Sequence, residues 1–203
     1  MVVARAAEQD LKRAPLPQPE VAGQGRTVNW WGILAMIASE VIFFANLIIG
    51  YLYLRVRAGQ WPPEGIEPLE LLLPTINTAI LLSSALPMHG AHLAIRRGDR
   101  KGMQKGLILA AVLGMIFISG QAWEYTHAPF SLKSGTFGST FFTLTGFHGL
   151  HVVVGIILIL ICYLRSLRGS FNREHHFGVE AAAMYWHFVD AVWVILFGVL
   201  YLL

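Results

Sequence analysis

The chain has 203 residues, of which 55% are hydrophobic and 13% charged, with a formal net charge of +3. The apolar residues stand in long blocks, which excludes a soluble globular core built on short polar and apolar alternation. The slight basic excess follows from where the lysines and arginines fall along the chain, so a nucleic-acid partner is not expected.

Residues 1–28 read as a cytoplasmic arm, extended or disordered, with prolines at Pro15, Pro17 and Pro19 and charges throughout. The arm has no apolar centre of its own, so it is not a cleavable signal peptide. Its acids Glu8, Asp10 and Glu20 also argue against a mitochondrial import signal. The rest, 29–203, reads as one transmembrane domain. Five blocks are long enough for a hydrocarbon core of about 30 Å, approximately 30–54, 69–95, 103–125, 137–164 and 178–203. They lack the dyad alternation of membrane strands, so the fold class is all-α, an integral membrane bundle of five transmembrane helices. Twelve basic residues fall in the arm and the even-numbered connections, against Arg55, Arg57 and Lys133 in the others. That bias predicts a cytoplasmic N-terminus and a C-terminus outside. Cys162 is the only cysteine, which excludes an internal disulfide.

The first span carries Glu40 in the middle of its apolar run. A charge at that depth costs from about 2.5 to over 10 kcal/mol, so Glu40 should be neutral, paired or turned into the bundle. In the second span Pro87 lies well inside, where a bend is expected, and His89 and His92 follow as interfacial histidines in contact with headgroups or water. The third span has Gly102, Gly106, Ala110 and Gly114 on one face, which predicts close helix contact. Near its end Gln121 and Glu124 share a face, and Glu124 is expected to bind loop amides around 134–138. His148 and His151 lie three apart on the fourth span, while Glu180, His187 and Asp190 form one stripe on the fifth. Imidazole and carboxylate together can ligate iron, manganese or zinc, but di-metal bundles carry two Glu-x-x-His pairs and this chain has one, Glu124 to His127, near a span end. No nucleophile elbow, phosphate loop or cysteine pair is present, so no catalytic residue is assigned.

Several segments in order resemble subunit III of cytochrome c oxidase: Ser39-Glu-Val-Ile-Phe-Phe, Trp61-Pro-Pro, Leu73-Pro-Thr-Ile-Asn-Thr, Glu124-Tyr-Thr-His-Ala-Pro-Phe, Gly135-Thr-Phe-Gly-Ser-Thr-Phe-Phe, Gly146-Phe-His-Gly-Leu-His-Val and Val179-Glu-Ala-Ala-Ala-Met-Tyr-Trp-His-Phe-Val-Asp. The resemblance runs from Trp31 to the C-terminus and is to the five-helix bacterial form, without the two leading helices of the longer form. In that longer form the leading helices lean away and leave a cleft that holds phospholipid. The resemblance implies a non-redox accessory subunit of a proton-pumping haem-copper terminal oxidase in a bacterial inner membrane, stabilising subunit I and supporting proton uptake. Haem and copper are expected in partner subunits, with no metal or cofactor on this chain and with phospholipid bound. Subunit I is the expected main contact, followed by subunit II and other small subunits. Glu40 then corresponds to a buried, proton-active carboxylate, and His148, His151, His187, Asp190 and Glu180 to an interhelical polar network. Gln121 and Glu124 are outer-end polar residues. A quinol oxidase is the near alternative. A self-sufficient membrane metalloenzyme and a proton-coupled transporter are the more distant ones, and the latter lacks the internal repeat such folds usually show.

Overall fold

The computed structural model describes residues 28–66 and 70–203. The expected arm thus falls almost wholly outside the described residues. Among the described residues five helices are long and apolar enough to cross a membrane: α1 (Val28–Ala58), α2 (Leu72–Arg96), α3 (Arg100–His127), α4 (Gly135–Leu167) and α5 (Phe177–Phe197), the last continued by a π turn, Gly198–Leu202. No strand occurs among the described residues.

Helices α2, α3, α4 and α5 pack as a closed ring, each against the next and α5 back against α2. Short connections make consecutive membrane helices neighbours, but α1 departs from this and packs mainly on the outside of α4 and α5. Its connection to α2 is long enough to permit that, whereas the turn from α2 to α3 is not. In this turn Gly98 takes φ +81, a left-handed conformation that suits a residue without Cβ, and Asp99 caps α3 by accepting from the Gly102 amide at 2.9 Å.

The small-residue face of α3 does what its spacing predicts. A Cβ on Gly106 would stand 2.5 Å from the Pro87 carbonyl oxygen and 2.8 Å from the Ala91 Cβ, so α2 and α3 approach closely there. Helix α2 runs on through Pro87 to Arg96. Further along α3, Gly114 faces the ring of Trp186 from α5. Gly155 of α4 faces the same indole, whose Cε3 lies 2.8 Å from where its Cβ would be. The Trp186 side chain is therefore slotted between two glycines, and its Nε1 donates to Ser84 Oγ of α2 at 2.8 Å. One side chain thus joins all four helices of the ring.

Candidate functional site

Among the described residues, the ionisable side chains that the sequence singles out inside the spans occupy four separate places. The first lies between α1 and α4, where Glu40 Oε2 and His151 Nε2 are 3.0 Å apart. The other imidazole nitrogen, Nδ1, is 2.7 Å from the Phe147 carbonyl one turn earlier. Phe43 stacks on the His151 ring and Phe44 meets it edge-on, which fixes its plane. The sequence predicts a buried Glu40, yet its side chain is 31% exposed on the outer surface of the chain, against 13% for His151. The reason is the position of α1, which lies outside the ring and buries only Phe44 and Tyr51.

The second place is the centre of the ring. His148, one turn before His151, is 1% exposed, stacked on Trp193 at 4.7 Å and edge-on to Phe117. Neither of its ring nitrogens has a hydrogen-bond partner. Both carboxylate oxygens of the buried Asp190 are likewise unpartnered. Around them the polar groups that do pair are hydroxyls, amides and indoles. Trp193 Nε1 donates to Thr78 Oγ1 at 2.8 Å, and Asn77 Nδ2 donates to the Phe117 carbonyl at 2.9 Å.

The third place is at the far end of α3. Gln121 Nε2 donates to Glu124 Oε2 at 3.0 Å, and Tyr201 Oη donates to Glu124 Oε1 at 2.8 Å. The sequence predicts that Glu124 binds the amides near 134–138, and the π turn overrides that by delivering Tyr201 to it. The loop instead closes on itself, with the Ser131 amide donating to Ser134 Oγ. Glu124 also lines an open pocket of about 390 Å³ with Glu70, Trp123 and His127.

The fourth place runs along the facing sides of α2 and α5, from their arginine-rich ends inward to His187. His187 faces His89 with ring centroids 6.4 Å apart, and Glu180 lies with His92 and His176. The five residues expected to form a single network are thus divided. His151 joins Glu40, His148 and Asp190 sit in the ring centre, and Glu180 and His187 face the histidines of α2. Helical spacing gives the face of each residue but not which neighbour that face meets. His176, Trp186, Trp193 and Tyr201 also take part, and none of them stands out in the sequence as an ionisable group within an apolar run. His176 and Glu180 are four apart, a spacing that could have drawn attention, whereas nothing local marks the two tryptophans as hydrogen-bond donors.

Comparison with known proteins places these motifs in a family. A family model described as cytochrome c oxidase subunit III matches residues 24–203. The chain is 47% identical over 177 residues to cytochrome c oxidase subunit 3 of Synechocystis sp., covering 87% of this chain and 76% of that protein. It is 46% identical over 173 residues to the protein of the same name from Thermostichus vulcanus, covering 85% and 86%. It is 44% identical over 177 residues to that of Bos taurus, covering 84% and 68%.

Proposed function

Because the chain belongs to the cytochrome c oxidase subunit III family, and so to the accessory subunits of haem-copper oxidase complexes, we propose that it stabilises catalytic subunit I and supports its proton uptake while performing no chemistry alone. The observation that carries this reading is the state of α1. It is a 31-residue apolar helix that buries only two residues in its own chain and holds the Glu40–His151 pair beside an uncovered face. An ionisable pair at membrane depth usually turns toward protein or a water-filled cavity, so that face suits further subunits and ordered phospholipid better than bulk lipid alone.

Cytochrome c is the proposed electron donor, supported by the names of the relatives. Haem and copper would belong to subunits I and II, with other small subunits completing the complex. The setting is a bacterial inner membrane, with the arginine-rich end of α2 to α5 and the arm on the cytoplasmic side, as the distribution of basic residues favours. Within this reading Glu40 is a proton-exchanging carboxylate, and His151 orients it.

Deletion of this chain from the oxidase tests the role. Initial oxygen consumption should be close to normal and then decline progressively during turnover. Undiminished, sustained turnover of the complex without this chain would refute the proposal. Purification in mild detergent, with identification of the accompanying chains and an optical spectrum, checks the partners, and haem bands should accompany the chain.

A further inference from the structure

The arginine-rich end of the ring holds a cluster that the accessory role leaves unused. His176 stands at the N-cap of α5 and Glu180 four residues later, so both side chains leave the same side of the first turn. Helix α2 brings His92 to them, one turn before its end at Arg96. One ligand atom from each of the three lies within 4.8 Å of the others. All three residues are half-buried. Their grouping is not explained by bonding among themselves. The His92 and His176 rings are tilted at 43° with centroids 6.4 Å apart, and Nδ1 of His176 is buried without any hydrogen-bond partner. Two imidazoles, one with a buried nitrogen that has no partner, beside a carboxylate make up the donor set of a metal site.

We propose that His92, His176 and Glu180 bind one divalent cation of the zinc class, which ties the end of α2 to the start of α5. Two imidazoles and one carboxylate match the three protein ligands of an open zinc site, with water left for the fourth position. Donors about 2.0–2.2 Å from zinc stand roughly 3.5 Å apart, which the three side chains reach by small rotations from their present spacing. Arg96 adds positive charge nearby, but the site is at the aqueous end of the bundle, where salt screens it, and Glu180 supplies the opposite sign. His176 also lines an open depression with Arg165, Glu174 and His175, which gives the ion a route from water. The site uses residues of this chain alone and goes beyond the accessory role.

Equilibrium dialysis with radioactive zinc tests the site, using the full chain solubilised with its accompanying subunits. Wild type should bind one more zinc per chain than His92→Ala or Glu180→Gln, while His89→Ala, a change at an exposed neighbour, should match wild type. Equal zinc content and affinity in wild type and all three variants would overturn the proposal. A second measurement needs no variant. Zinc should slow diethylpyrocarbonate modification of His92 and His176, located by mass spectrometry, by at least tenfold relative to His89. Unchanged reactivity of both histidines in saturating zinc would equally overturn it.

Discussion

Trp186 is the residue on which the ring depends most directly. Its indole N–H has one acceptor, Ser84 Oγ, and its ring fills the space left by two glycines. Trp186→Phe removes the donor and part of the ring, and should lower stability by about 1–3 kcal/mol through the lost bond and the cavity. A fall in the thermal unfolding midpoint in mild detergent would show it. Glu40 and His151 form the other pair that can be isolated. A double-mutant cycle with Glu40→Ala and His151→Ala should give a coupling of about 0.6–1.7 kcal/mol, the range of hydrogen bonds between membrane helices, and a coupling near zero would make the pair incidental. At this scale the sequence reveals which residues are unusual, because polar groups in apolar runs stand out. It does not reveal their partners. Glu40 and His151 are 111 positions apart, and no periodicity links α1 to α4.

Helix contact in the ring is decided by the absence of side chains as much as by their presence. Gly114→Ala would place a methyl 2.6 Å from Cη2 of Trp186, against a ring that Gly155 blocks from the other side. The substitution should cost about 1–3 kcal/mol by overpacking. Combining it with Trp186→Phe, which has no Cη2, should destabilise less than the two single changes added together. Unfolding midpoints of the three variants would show strict additivity if the contact were unimportant. The small-residue face of α3 was legible because glycines and alanines four apart have few uses inside a membrane other than close approach. The large residue filling the gap was not, since any long side chain of α4 or α5 could have reached it.

The molecule as a whole is a ring of four helices with a fifth leaning on it. Helix α1 should therefore be the least protected span. Amide hydrogen exchange should be faster in α1 than in α3 and α4 when the chain is separated from its partners, and should slow in the assembled oxidase. Five spans and their approximate limits could be read from hydropathy, because bilayer thickness imposes a length. The outlying position of α1 could not, because an apolar face meant for protein and one meant for lipid look alike in sequence. That position has a consequence for biogenesis. Helices α2 and α3 are joined by a capped turn and can pair as soon as both have left the ribosome, but α1 must wait for α4. At about 5–20 residues per second, the 111 positions between Glu40 and His151 amount to roughly 6–22 seconds of synthesis. For that interval the nascent chain presents a solitary acidic helix to the lipid, an intermediate that an insertase or membrane chaperone would have to shelter.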